Sequence, residues 1–541
     1  MIVYFHWNRI FEQGLDLKKR VLILGAGVMQ SPAIRIAGEM GFETFVVDGN
    51  PNAEYAGLAG GFKNIDLKDK EAIAEYAGQL KASGGLDGVF TCGTDFSASV
   101  AYVCEKNNLP GISYEAALNA SNKDRMRRCF KECGVPSPEF IVFSRESNEQ
   151  YKLPFHYPVV VKPVDNMGAR GCRRADNYAE LQGAVREAME FSASGRVIVE
   201  EYLEGPEYSL DAIIYKGEIT ICGIAERHIR FPPYFIETGH TMPALLDKET
   251  EDKIVSVFKA GIKSLGITLG AAKGDIKFTK NGAFVGEIAA RLSGGFMSGW
   301  TYPYSSGVYP VRSALSCACG EAPEDLTPVL HNTSAERAII SIPGKIREIQ
   351  LKDSAENILY VRDLFFRVQA GSTVIFPLNN VSKCANVISS APERDHAVSA
   401  AENAVKTVLL RLAAPEAATE AFLQESGDFP PDAFSAGGSF SPKEKTELNA
   451  GIEGLAEGSG RAESGVWTLE PFTAFCSSKA VDYAGRTAEE SLQAVRKLTG
   501  QSLPFAKNGG SASFGREFWK ALIRGGYQGA AYTVDKVLQS F

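Results

Sequence analysis

Residues 18–47 have few folded solutions. They hold an apolar run at 21–24, the turn Gly25-Ala26-Gly27, an apolar-periodic stretch at 32–40 and a second apolar run at 44–47. Two strand-like runs flanking a helical period predict a βαβ unit, whose crossover must pack on a parallel sheet. A third run at 88–91 follows a predicted helix over 72–81, and another helix is predicted over 98–106. Residues 18–118 therefore read as a small doubly wound α/β domain with a parallel sheet. At 541 residues the chain must hold further cores, since one domain usually takes ~100–200 residues.

Residues 119–320 alternate helices with strands rich in Val and Ile and carry most of the chemically interesting charges. Residues 321–413 predict an α+β unit, with strands at 338–342 and 373–376 and an Ala-rich helix at 395–412. Residues 414–465 are rich in Ala, Glu, Gly, Ser and Pro with little periodicity, which predicts a linker or a mobile segment. Residues 466–541 regain aromatics and a helical pattern at 486–498, the signature of a small appended domain.

Composition narrows the function. A 45% hydrophobic, 23% charged chain is globular, and a net charge of -8 opposes a nucleic-acid partner held by a basic surface. Ten cysteines without a CxxC pair fit a reducing cytoplasm better than a disulfide framework. The uncharged stretch at 292–311 is rich in Gly and Ser and reads as loop rather than membrane span. The apolar start at 1–7 meets Arg9 and Glu12 too soon for an export signal. Six histidines with no HxxxH pair make a zinc site improbable.

The candidate chemistry rests on lysines and carboxylates. Gly25-Ala26-Gly27 with Asp48 partly matches a dinucleotide fingerprint, but Gln30 stands where a third glycine belongs, so a plain tight turn is the stronger reading. Lys162 ends the apolar run Val159-Val160-Val161, either as a snorkelling surface lysine or as a phosphate ligand. The loop Asp165-Asn166-Met167-Gly168-Ala169-Arg170-Gly171 follows, with small residues whose N–H groups can approach phosphate oxygens. A strand then passes into Glu201-Tyr202-Leu203-Glu204-Gly205-Pro206-Glu207, where a chain leaving a sheet can offer backbone groups to a base edge and a carboxylate to a ribose. Asp275 and Glu287 lie on runs joined by Lys280-Asn281-Gly282, a hairpin that brings them face to face. They suit Mg²⁺, unless they are a solvated polar face paired with Lys277. Arg291, four residues on, can reach a transferring phosphoryl group.

The order Lys123, Lys162, Gly168–Gly171, Glu200–Leu203, Glu207, Asp275, Glu287, Arg291 resembles the ATP-grasp superfamily, especially its biotin-carboxylase, carbamoyl-phosphate-synthetase and L-amino-acid-ligase branches. The likeness runs from about residue 20 to 412, and Gly25-Ala26-Gly27 with Gln30, Asp48, Asn50 and Pro51 looks like the domain that precedes ATP-grasp units in purine-pathway ligases. The resemblance implies an ATP-grasp fold of two lobes with a glycine-containing lid. It also implies phosphate binding by Lys123, Lys162 and the loop Gly168, Ala169, Arg170, Gly171. By the same resemblance Glu200, Glu201, Tyr202 and Leu203 border adenine, Glu207 holds the ribose, and Asp275 and Glu287 hold Mg²⁺, with Mn²⁺ as the alternative ion. Arg291 and Lys162 are the residues implied to stabilise the reacting groups. The family pattern Glu-x-Asn-x-Arg reads Glu287-Ile288-Ala289-Ala290-Arg291 here, so Ala289 cannot supply the usual extra ligand, and Asp275 stands where Glu is commoner.

The implied activity is ATP-dependent carboxylate–amine ligation through an acyl phosphate. Its expected partners are a small carboxylate and a small amine such as amino acids, with no nucleic acid, no membrane and a homodimer as the oligomer to test. Bicarbonate activation through carboxyphosphate and a non-catalytic ATP-binding regulator are the alternatives. Arg227, Arg230, His240 and Tyr302, beside the aromatic run from Trp300 to Tyr304, are the candidate substrate residues, with packing as the competing account.

Overall fold

Short β-branched and aromatic runs closed by turns build the first sheet. The computed structural model describes residues 18–147, 151–425, 427, 429–435, 442–454, 470–500 and 515–539; the apolar start at 1–7 lies outside them. Strands β1 (Arg20–Leu24), β2 (Glu43–Asp48), β3 (Gly61–Asn64) and β4 (Gly88–Phe90) pair in the order β3-β2-β1-β4, all parallel. Helices α1 (Ser31–Glu39) and α2 (Lys70–Gly84) make the crossovers, followed by α3 (Ser97–Asn107). The Gly25-Ala26-Gly27 turn is closed by side chains. Asp48 Oδ2 accepts from the Ala26 N–H at 2.8 Å, and the Gln30 amide donates to the Cys92 carbonyl at 2.6 Å. A Cβ on Gly25, at φ +97°, would lie 3.0 Å from the Gln30 side chain. The Gln30 side chain thus packs against the turn at the place where a dinucleotide fingerprint carries its third glycine.

Helices α4 (Tyr114–Ser121) and α5 (Lys123–Glu132) lead into a small lobe. There β5 (Phe140–Ser144), β6 (Val159–Pro163), β7 (Arg173–Ala175) and β8 (Arg196–Glu201) pair antiparallel in the order β5-β8-β6-β7, with α6 (Tyr178–Glu190) on one face. Strand alternation decides the rest. Val159 and Val161 turn into the core with Leu181 and Val185, which leaves Lys162 on the opposite, cleft-lining face.

The main body is an eight-stranded sheet. Its first strands are β9 (Glu207–Tyr215), β10 (Glu218–Arg230), β11 (Ile236–Met242), β12 (Gly270–Thr279) and β13 (Gly282–Ala289), with α7 (Lys248–Ser264) packed on β12 and β13. Gly274 is a glycine of close approach: a Cβ there would sit 2.4 Å from the Phe258 ring of α7. Burying that ring stabilises the layer by ~1.5–3 kcal/mol. After α8 (Tyr302–Ser306) and α9 (Pro310–Ala318), the sheet continues through β14 (Thr333–Ile339), β18 (Ala385–Ala391) and β16 (Val361–Phe366), in the order β13-β12-β9-β10-β11-β14-β18-β16. β11 pairs with β14 from Gly239 opposite Arg337 to Met242 opposite Ser334. Sequence alone reads a domain boundary at 320, yet one sheet crosses it, because the β11 edge needs a partner for its backbone groups.

The remaining strands of this unit are β15 (Gly344–Gln350), β17 (Thr373–Val374) and β19 (Leu409–Leu412), with α10 (Lys352–Glu356) and α11 (Arg394–Thr407). The helix expected over 395–412 stops at Thr407. The Leu-Leu-Arg-Leu run at 409–412 pairs with β15 instead. The linker expected over 414–465 is also corrected where it is described. It contains α12 (Ala417–Gln424) and α13 (Pro442–Glu453), and with α14 (Glu470–Ser477), α15 (Ala488–Thr499) and α16 (Arg516–Gln539) it forms a helical unit. Phe434, Leu448 and Ile452 share a core with Val495, Phe518 and Trp519. The apolar residues are too sparse for a visible period, but each finds a partner on a helix far along the chain.

Candidate active site

The cleft between the small lobe and the large sheet is lined by charged side chains that two strand periods and one helix terminus deliver. Asn122 caps α5, its side chain accepting from the Arg125 N–H, and this sets Lys123 in the first turn. Lys123 Nζ lies 2.9 Å from Glu287 Oε1 and donates to the Asn166 carbonyl at 2.8 Å. Desolvation opposes charge on both partners, but their mutual attraction wins. The ammonium is raised above its ordinary value, and the Glu287 carboxyl, drawn also by Lys273 and Lys162, is held well below the carboxylate range. Lys162 Nζ sits 2.7 Å from Glu200 Oε2, and the other oxygen of Glu200 is 2.8 Å from Arg127 Nε. Burial pushes the Glu200 carboxyl up, and Arg127 and Lys162 outweigh it and hold it down.

Glu200 therefore differs from expectation. Its backbone stands in the ladder opposite Phe140 and Val160, while its carboxylate anchors two cations of the cleft. The chain leaves the sheet only after Glu201, so the run from Tyr202 to Leu203 is the one lying outside the ladder. Glu207, the expected ribose acid, is half-buried against Arg227 and 3.5 Å from Lys277. In the glycine loop Gly168, Ala169 and Gly171 take φ of 67°, 60° and 67°. Ala169 holds a left-handed conformation that a side chain disfavours, a strained position of the kind found at ligand clamps. Arg170 turns back, its Nε donating to the Met167 carbonyl at 3.1 Å.

Asp275 and Glu287 are direct cross-strand partners on the β12–β13 hairpin. Asp275 Oδ2 is 2.9 Å from an Arg227 nitrogen and also pairs with Lys273, whereas its Oδ1 is buried with no hydrogen-bond partner. Two facing carboxylates, one with an orphaned oxygen, fit a hard divalent cation such as Mg²⁺. Ala289 is buried opposite Lys273 and adds no ligand. Arg291 follows the hairpin with its Nε buried and unpartnered. Asp95, which sequence reasoning missed, joins this group from the N-terminal sheet. Its Oδ1 is buried without a partner, and burial raises its carboxyl despite Arg291, Lys123 and Lys273 nearby. The available signal was its place just beyond β4, at the carboxyl edge of a parallel sheet where ligands bind.

The far end of the cleft departs most from expectation. Arg227 is no free cation, since it binds Glu207, Asp275 and Glu237, the last at 2.5 Å. Arg230 lies at the end of β10 with its guanidinium 5.2 Å from the Phe231 ring centre. Tyr302 is fully buried and walls no cleft: its hydroxyl accepts from the Asp211 N–H at 2.9 Å and donates to the Gly223 carbonyl at 3.1 Å. Asp211 in turn accepts from the Ser293 N–H at 3.0 Å and hydroxyl at 2.6 Å, so one residue fastens both ends of the segment after Arg291. Trp300 packs against Phe296 and Phe365. His240 is the candidate substrate residue that reaches a polar site. Its Nε2 pairs with the Thr301 hydroxyl at 2.9 Å, and its Nδ1 faces Glu336 Oε2 at 3.4 Å and Glu237 Oε1 at 3.9 Å. His240 Nδ1 and Glu336 Oε2 are both buried without a hydrogen-bond partner. Burial works against charge on Glu336 and Glu237. Lys383 and His240 nevertheless hold Glu336 down, and Arg227 with Lys383 does the same for Glu237. Glu336 lies far along the chain from Glu237 and stands in register opposite His240, so no local motif could reveal it.

Known proteins share parts of this two-lobed scaffold. Residues 155–299 match the ATP-grasp domain, and residues 337–413 match the L-amino acid ligase C-terminal domain 2. The chain therefore carries an ATP-grasp domain followed by an L-amino acid ligase C-terminal domain. It is 29% identical over 258 residues to alanine–anticapsin ligase of Bacillus subtilis, covering 42% of this chain and 53% of that one. It is 25% identical over 310 residues to carnosine synthase 1 of Gallus gallus, covering 52% and 33% respectively. The chain thus spans a third to about a half of the length of these two curated relatives. The crystal structure of L-amino acid ligase from Bacillus licheniformis superposes with a TM-score of 0.64 at 21% identity, over 73% of this chain and 99% of that one, a likeness of fold. Among the described residues no helix is long and apolar enough to cross a membrane.

Proposed function

We propose that this protein joins an amino acid, or a similar small carboxylate bearing an ammonium group, to a small amine at the expense of ATP. The observation that carries the reading is Arg227, which touches Asp275 of the hairpin and Glu237 of the far cluster at once. The half-buried Glu237 and the buried His240 and Glu336 therefore stand one guanidinium away from the phosphate end. Two carboxylates and an imidazole, with His240 Nδ1 and Glu336 Oε2 unpartnered and facing each other, suit an ammonium, which donates three hydrogen bonds. An amino acid held there by its nitrogen directs its carboxylate toward Arg291 and the phosphate end.

In the proposed reaction a carboxylate oxygen attacks the γ-phosphorus of ATP, the bond to ADP breaks, and an acyl phosphate forms. The amine nitrogen then attacks the acyl carbon, loses a proton, and phosphate departs with its bonding electrons. Lys123, Lys162 and Arg291 supply fixed positive charge where negative charge moves. Asp275 and Glu287 would hold Mg²⁺, with Mn²⁺ as a substitute, which when bound neutralises phosphate charge. Buried, pre-paired side chains such as Glu200 and Arg127 keep the lysines oriented before the nucleotide arrives.

The test is a screen with ATP, Mg²⁺ and the twenty amino acids singly and in pairs, reading phosphate and product mass. ADP, phosphate and a new amide in equal amounts are expected. Phosphate released only with bicarbonate moves the assignment to carboxyphosphate chemistry, and no release with any acid leaves a nucleotide-binding regulator.

A further inference from the structure

The segment 377–383, which joins β17 to β18 in the C-terminal unit, touches both halves of the cleft. The Asn380 N–H donates to the Gly168 carbonyl of the glycine loop at 3.0 Å, and Val381 lies beside Gly168, 3.8 Å from where its Cβ would be. The Asn380 side chain works in the other direction. Its Oδ1 accepts the Glu237 N–H at 2.9 Å. Lys383, itself buried, donates to the Glu237 carbonyl at 3.1 Å. Asn379 stiffens the segment by accepting from the Val381 N–H and the Ser382 hydroxyl, each at 3.0 Å. One asparagine therefore bridges the loop over the phosphates and the strand that carries the far cluster.

We propose that Asn380 is a positioning residue that couples closure of the Gly168–Gly171 loop to the placement of Glu237, so that the cleft excludes water while the activated acid waits for its amine. The inference rests on the ligase reading and names a residue that no motif of the chain contains. A loop that must open for the nucleotide has few buried contacts of its own, so one external hydrogen bond on each side is enough to shift its closed population. The coupling is reciprocal: whatever orders the Glu237 strand favours the closed loop, and loop closure favours occupancy of the far cluster.

Two measurements on the full chain test this. The first follows tryptic cleavage after Arg170 by mass, with Mg²⁺ and β,γ-imido ATP, with and without amino acids. Asn380→Ala removes the acceptor and is expected to be cut about fivefold faster than wild type in the nucleotide-bound state, the equivalent of one neutral hydrogen bond. Asn380→Asp, which keeps an acceptor oxygen, restores protection, and Asn380→Ser gives the same comparison should the alanine variant fail to fold. The second compares phosphate released with amide formed; their ratio rises in Asn380→Ala and returns toward unity in Asn380→Asp. Equal cleavage rates in wild type and Asn380→Ala would overturn the proposal. If wild type makes no amide from any pair, the ligase reading falls while the cleavage comparison still decides the coupling.

Discussion

At the end of the cleft proposed to bind phosphate, Lys123, Lys162 and Arg127 face Glu200 and Glu287, whereas at the far end Glu237 and Glu336 face Lys383, His240 and the shared Arg227. The first end holds side chains that already neutralise one another and keeps cations to spare for an anion. The second buries carboxylate oxygen and imidazole nitrogen that lack donors. A zwitterion between them would be read at both ends, its ammonium by one and its carboxylate by the other. Charge bias across one cleft thus separates the two halves more sharply than shape does.

The largest effect should come from the phosphate end. Glu287→Gln keeps the size of the side chain but removes a carboxylate opposite Asp275. Turnover is expected to fall by roughly 10²–10³-fold, with nucleotide affinity changing far less. Steady-state kinetics beside nucleotide titration check this, and full activity at ordinary Mg²⁺ would remove the proposed ion site. Lys162→Ala takes away a cation while Glu200 keeps Arg127. ATP affinity should drop roughly ten- to hundredfold, the value of a charged hydrogen bond at ~1.5–3 kcal/mol. An unchanged affinity would return Lys162 to the surface-lysine account.

The far end should respond through a different constant. Glu336→Gln leaves the Asn386 contact available but removes the charge facing His240. The KM of the amino acid is expected to rise about tenfold with the KM of ATP nearly constant. Equal changes in both constants would erase the distinction between the two ends.

The smallest effect is one of pH. Burial raises the Asp211 carboxyl from 3.8 to about 7 despite the Ser293 hydrogen bonds. Ionising it costs the folded state, so its contribution to stability is full below the unfolded value and is lost as pH rises through about 7. Thermal melts of wild type should therefore decline over that interval relative to Asp211→Asn, which cannot ionise. Parallel melting curves would show that Asp211 does not titrate there.

The amino-acid sequence by itself determined the parallel opening sheet, the burial of Val159 and Val161 that turns Lys162 to the cleft, and the hairpin that sets Asp275 against Glu287. These follow from period, alternation and turn chemistry, which act over a few residues. Tertiary structure alone decided what each charge faces. Arg227 and Tyr302 looked available as substrate contacts, yet Arg227 is claimed by three carboxylates from three strands and Tyr302 by the backbone of Asp211 and Gly223. Glu336 and Asn380 carry no local signature and enter the cleft only because β14 pairs with β11 and the loop before β18 folds over Gly168. The helices of 417–453 were equally hidden, because their scattered apolar residues bury against α15 and α16, and a partner so far along the chain leaves no period to read.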